Sequence, residues 1–227
     1  MMHTFASFLI ELFEYHADSE RAMPMKAYMK DIDEFYGIPS PQRKELFREA
    51  LQQFPKSILI DWADISVSLA THGKREAMYC AIECAEKAHK HWDEDAIESL
   101  ITLILHHSWW DSVDALAPLI GIYFQKYPHK RDHYVKAWME SENFWLWRIC
   151  LLFQKRYKQD TDEALLYGLC LKLASVQEFF IRKGMGWALR EYSYVNPLSV
   201  QDFVEKSPLS ALTKKEAMKG INRNNQS

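Results

Sequence analysis

Three short segments carry side chains suited to a positively charged reactant. The first is Ser108-Trp109-Trp110-Asp111-Ser112-Val113-Asp114. On a helix, Trp110 and Asp114 are four residues apart and share one face. An indole face and a carboxylate both attract a cation. Plain structural roles fit part of the segment equally well: Ser108 and Asp111 have the spacing of a helix cap, and one of the two tryptophans suits a core. The second segment, Phe144 to Tyr157, is a strongly apolar helix with one arginine, Arg148, in its middle. A buried arginine must find an anion, either an internal carboxylate or a phosphate. The third, Glu178 to Tyr192, sets Trp187 and Arg190 three apart on one face and carries Gly184 and Gly186 inside a helix. Each glycine there costs about 1 kcal/mol relative to alanine. Close approach of another backbone, or close helix–helix packing, is what offsets such a cost.

The elements that must position these side chains are helices. Apolar residues recur at helical spacing nearly throughout, no strand alternation stands out, and turn residues are scarce, with 7 Gly and 8 Pro in 227 residues. The pattern predicts thirteen helices, among them 22–36, 109–126, 143–157 and 176–193. Starts are expected at Ser40-Pro41 and Asn196-Pro197, and capping-box spacings run from Ser108 to Asp111, Ser175 to Glu178 and Thr213 to Glu216. Connections are short, so sequential helices pack as antiparallel neighbours. Two helices occupy roughly 35–40 residues, the rhythm of HEAT-like arrays. The expected architecture is all-α: a right-handed superhelix of HEAT-like antiparallel helix pairs over 1–227 as a single domain, with a frayed tail at 224–227.

Composition narrows the function. Net charge is −3, so a nucleic-acid surface has to be a local basic face on an otherwise acidic chain. Segment 206–223 supplies Lys206, Lys214, Lys215, Lys219 and Arg223 against Glu216; Lys155, Arg156, Arg182 and Lys183 are further candidates, although any one lysine also suits a solvated helix face. Cys80, Cys84, Cys150 and Cys170 form no CxxC pair and read as buried thiols. His129 and His133 are one helical turn apart, with His89 and His91 nearby in sequence, but no HExxH accompanies them, and no metal or cofactor is expected. The apolar N-terminal run is interrupted early by acids, so neither a signal peptide nor a membrane span is expected, and the cytoplasm is the expected compartment.

The three segments also resemble the signature regions of the AlkD family of alkylpurine DNA glycosylases. The similar stretches are SWWDSVD at 108–114, RICLLFQKRYK at 148–158 and EFFIRKGMGWALREY at 178–192, with PMKAYMKDIDEFYGIPSPQRKEL at 24–46 and PLSALTKKEAMK at 208–219. They lie in order along almost the whole chain. The resemblance implies a C-shaped stack of HEAT-like helix pairs whose concave face binds duplex DNA as a monomer. It implies excision of N3- and N7-alkylated purines without a base-binding pocket. It places Trp110, Trp187 and Asp114 at the deoxyribose of the lesion, Arg148 and Arg190 on the backbone, and Tyr28 near the lesion. Lys155, Lys183, Lys214 and Lys215 complete the expected DNA contacts. Pro39, where a polar residue is expected, and Gln177, where a lysine is common, depart from the family pattern at the rim. A relative that binds DNA without excising, or a HEAT-repeat protein scaffold, is the alternative function; the joint presence of Trp110 and Asp114 favours excision.

Overall fold

The computed structural model describes residues 2–224, with side chains through Ile221. The chain packs as two compact units, one ending at Ser112 and one beginning at Val113. The first contains α1 (Thr4–Tyr15), α2 (Ser19–Tyr28), α3 (Ser40–Gln53), α4 (Ser57–Ala70), α5 (Arg75–Ala88), α6 (Ala96–Leu105) and the first turn of α7 (Trp110–Lys126). The second contains the rest of α7, α8 (Pro128–Glu140), α9 (Phe144–Leu152), α10 (Glu163–Lys172), α11 (Phe179–Ser193), α12 (Pro197–Lys206) and α13 (Ala211–Asn224). The fold is all-α. Among the described residues the extended pairing is limited to one bridge, Glu34 with Lys74. No described helix is long and apolar enough to cross a membrane. Of the tail expected to fray at 224–227, Asn224 ends α13 and the remainder lies outside the described residues.

In the second unit α11 lies between α9 and α13, while α10 bridges α9 and α11 and α12 bridges α11 and α13. This two-layered zigzag is the helix-pair arrangement that the sequence rhythm predicts. Apolar residues at helical spacing drive it: Ile181, Met185 and Leu189 on α11 and Ile149 and Leu152 on α9 are fully buried. Each contributes about 1.5–3 kcal/mol by leaving water. In the first unit, α4 packs against α5 and α6, and α1 against α3 and α4. Cys80, Cys84, Cys150 and Cys170 are buried free thiols, and burial pushes the Cys80 thiol up to about 12.

The helix predicted over 22–36 stops eight residues early. Lys30 and Asp31 take positive φ, and the residues beyond them find other partners than a helix. The backbone N–H groups of Tyr36, Gly37 and Ile38 all donate to the buried Glu76 carboxylate, at 3.0, 2.9 and 3.1 Å. Gly37 is required there: its φ is +84°, and a Cβ would overlap the Asp18 carbonyl. The helix predicted over 143–157 likewise ends at Leu152 and tightens into a 3-10 turn, Phe153–Arg156. The Phe153 carbonyl then approaches Gly121 where a side chain would stand, and Tyr157 Oη donates to the Gly121 carbonyl at 2.7 Å.

Three capping assignments are corrected. Ser108 donates back to the Ile104 carbonyl instead of capping α7. Glu178, not Ser175, caps α11 by accepting from Phe180 N, and Ser210 caps α13 by accepting from Thr213 N. Asn196 does cap α12. Pro41 lies in the first turn of α3, one residue after Ser40 begins it.

Asp111 serves a group that sequence spacing does not reveal. Arg75, at the start of α5, is 0% exposed. Its Nε donates to Asp111 Oδ2 at 3.1 Å, and Nη2 donates to Asp111 Oδ1 and, at 2.9 Å, to Ser112 Oγ. Nη1 donates to Asp33 Oδ2 at 2.8 Å and to the His107 carbonyl at 2.9 Å. All five N–H groups are thus satisfied. Tyr79 Oη adds a bond to Asp111 at 2.7 Å, and His107 Nδ1 pairs with the other Asp33 oxygen. Replacing Arg75 with Met would leave two carboxylates without their cation. The expected loss is about 3–5 kcal/mol of stability, read from denaturant midpoints; a loss under about 1 kcal/mol would show that water replaces the guanidinium at little cost.

Candidate nucleic-acid interface

The sequence left open which anion meets Arg148, and the structure supplies it. Arg148 Nε donates to Asp114 Oδ1 at 2.6 Å and Nη2 to Asp114 Oδ2 at 2.8 Å, a bidentate pair between α9 and α7. Nη1 donates to the Phe180 carbonyl at the start of α11. Arg148, expected on the DNA backbone, is paired internally in the DNA-free chain. Side-chain exposure is 5% for Arg148 and 14% for Asp114, so the carboxylate is the outer end of the pair. Gly184 makes room for it, since a Cβ there would stand 3.0 Å from Arg148 Nη1. Gly186 answers the other half of the glycine question. A Cβ there would meet Glu216 Cβ at 2.5 Å and the Thr213 carbonyl at 2.9 Å, so its absence lets α11 and α13 approach closely.

Trp187, the residue after Gly186, is half-buried and held in orientation by its Nε1–H, which donates to Glu191 Oε1 at 2.9 Å. Its face already carries a cation. Lys155, in the 3-10 turn after α9, places Nζ 3.9 Å from the ring centroid. Burial pushes the Lys155 ammonium below its ordinary value; the charges of Asp114 and Glu191 resist that shift, and Arg156 and Arg148 add to it. The second unit thus assembles Asp114, Arg148, Lys155 and Trp187 from α7, α9, its following turn and α11.

The other candidates are distributed differently. Tyr28, 71% exposed in the last turn of α2, and Trp110, in the first turn of α7, line one open cleft of the first unit with Met25, Met29, Phe35 and Tyr79, about 360 Å³ in volume. Lys183 and Arg190 both reach Glu216 on α13, at 2.9 and 3.5 Å, and Lys219 joins them at 2.6 Å. Lys214 and Lys215 form no ion pair among the described residues, and Lys215 is exposed. The Arg223 side chain lies outside those residues. Sequence reasoning treated Glu216 as the lone acid of a basic stretch and missed that it gathers three cations. Glu216 and Lys219 are three apart on one helix face, a signal for Lys219 only; Lys183 and Arg190 come from another helix.

A family model described as DNA alkylation repair enzyme matches residues 9–221. No curated protein matches the chain. Among solved structures, the chain is similar to one described as a predicted DNA alkylation repair enzyme from Enterococcus faecalis. The TM-score is 0.82 at 29% identity, over 89% of this chain and 95% of that one.

Glu216 offers a pH test of the basic cluster. Bonds from Lys219 and then Lys183 hold its carboxyl below the ordinary value against the opposing effect of burial. Its contribution to stability is therefore complete above the unfolded carboxylate value of about 4.3 and is lost as pH falls through the lower folded value. Glu216→Gln should be less stable than wild type near neutrality, and the two should converge in acid. Urea midpoints measured across that range check this; a gap that stays constant with pH would mean the carboxylate charge contributes nothing.

Proposed function

Because the chain belongs to the DNA alkylation repair enzyme family, we propose that it is a DNA glycosylase. It cuts the N-glycosyl bond of cationic N3- and N7-alkylated purines in duplex DNA. The observation that carries this reading is a cation-binding face next to an anchored carboxylate: Trp187 holds an ammonium at 3.9 Å, within the field of Asp114. A lesion of this class is itself a cation, and so is the sugar that it leaves behind.

The chemistry asks little else of the protein. Alkylation has already placed a positive charge on the purine. When the C1′–N bond breaks, its electron pair goes to the base, which departs neutral, so no general acid is needed. The deoxyribose becomes oxocarbenium-like. Asp114 stabilises that charge, accepts a hydrogen bond from the attacking water, and takes or relays its proton as the water oxygen bonds to C1′. The aromatic face of Trp187 contributes about 1–2 kcal/mol where desolvated. Trp110 and Tyr28, on their cleft in the first unit, offer aromatic surface to a cationic lesion. Arg148 acts as a positioning residue that pins both oxygens of Asp114.

Binding comes from phosphate contacts, which carry no sequence information. Lys214 and Lys215 are available for them directly, and Lys183 and Arg190 by sharing Glu216 with the phosphates. An array of helix pairs suits an extended partner such as a duplex. The protein needs no metal or cofactor for this reaction and acts on double-stranded DNA as a monomer in the cytoplasm.

The test is single-turnover release of abasic sites from a duplex carrying one N7-methylguanine. Asp114→Asn removes the charge and keeps the shape, and should slow excision by roughly 10²–10³ while binding to undamaged duplex stays unchanged. Thermal melts establish that the variant stays folded despite the altered Arg148 pair. A folded variant within about threefold of the wild-type rate, the resolution of such assays against an expected effect of that size, would overturn the role of Asp114.

A further inference from the structure

Lys155 is an ammonium with three donors. Among the described residues it forms no ion pair, and its contact is the Trp187 ring. Two of the polar groups around it have other partners. Gln154 exchanges two bonds with the backbone of Asp162, and Glu191 accepts from the Trp187 indole. Burial already disfavours the charged form. A half-desolvated ammonium in this state is poorly satisfied without an outside acceptor. It also occupies the face that a cationic sugar has to reach. Two cations cannot share one ring face without strong repulsion.

We propose that Lys155 is the gate of the site. In the DNA-free protein its ammonium covers Trp187. On binding it moves to a backbone phosphate beside the lesion, which clears the ring for the cationic deoxyribose. The geometry provides for both positions. The stem starts in a 3-10 turn rather than a helix interior, and Lys155 lies on the wall of a cavity of about 530 Å³ lined also by Leu151, Arg156, Glu191 and Tyr194. The ammonium has space to swing aside, and Arg156 extends the positive lining. The consequence is substrate selection: a free alkylated nucleoside brings no phosphodiester and leaves the gate closed, whereas a strand displaces it. This inference rests on the glycosylase reading of the site and deepens it.

Binding to uncleavable duplexes tests the gate apart from excision. Two duplexes are compared, one with a neutral tetrahydrofuran at a single position and one with a cationic pyrrolidine there. Wild type should prefer the pyrrolidine; indifference would count against the proposed function itself. Lys155→Gln should weaken binding to both duplexes by the same factor, within about twofold, and lower the salt slope by about 0.9, the loss of one phosphate contact. Lys155→Arg should keep the slope, which separates charge from folding. Two results would overturn the gate. One is an unchanged slope in Lys155→Gln. The other is a gain of more than about fivefold for the pyrrolidine duplex alone, the sign of an ammonium that stays on the ring and repels the cation.

Discussion

A guanidinium taken out of water has to find acceptors for five N–H groups, and an unpaired one costs more than most folds can bear. Two such groups organise this chain. Arg75 gathers Asp33, Asp111, Ser112 and the His107 carbonyl in the first unit. In doing so it fixes the loop before α7 and the first turn of that helix, where Trp110 stands. Arg148 gathers Asp114 and the Phe180 carbonyl in the second unit. It ties α7, α9 and α11 at one point. Both arginines are buried and internally paired in the free chain. Of the side chains they hold, Asp33 and Ser112 are buried, whereas Asp111 and Asp114 keep partial exposure.

The cations divide by the same logic. Lys183, Arg190 and Lys219 converge on Glu216, and Glu216 is held charged by them. Such a hub offsets part of the mutual repulsion of three basic side chains, at the point where Gly186 lets α11 and α13 come close. Part of their field is cancelled by the carboxylate in the free protein. Lys155 differs from these three, a cation stabilised by an aromatic face instead of an acid. Its burial is tolerable because the ring and the fields of Asp114 and Glu191 together offset part of the desolvation.

Helical periodicity made the all-α class and most of the helices readable from sequence, because it is a local signal repeated over many turns. The misread segments are those in which a distant group competes with the helix. Residues 29–38 leave the helix because Glu76, some forty positions away, takes three of their backbone donors. Asp111 looked like a cap because its true partner, Arg75, is distant in sequence; nothing in local spacing marks that pair. The candidate site was legible by type: a lone arginine in an apolar helix had to have an anion. Which anion it was depended on the packing of α7 against α9, and spacing carries no record of that. The coverage of Trp187 by Lys155 was hidden for the same reason, and it also required α9 to end early.

Pairing Asp114 with Arg148 makes a nearly neutral unit, which on charge alone would blunt it as an electrostatic group. The geometry argues otherwise. The guanidinium is the inner end and the carboxylate the outer end, so a cation arriving from outside meets the negative end of an oriented dipole. Both carboxylate oxygens are tied at 2.6 and 2.8 Å, so neither has to turn as charge develops. A free surface aspartate has more charge but spends part of its attraction on reorganising itself and its water. In the proposed reaction the reactant and the sugar are both cations, and what separates them is where the charge sits. A fixed carboxylate aimed at one atom distinguishes those positions, whereas a mobile one responds to both. Under the proposed function, the buried arginine thus adds to the selectivity of the site by holding that carboxylate.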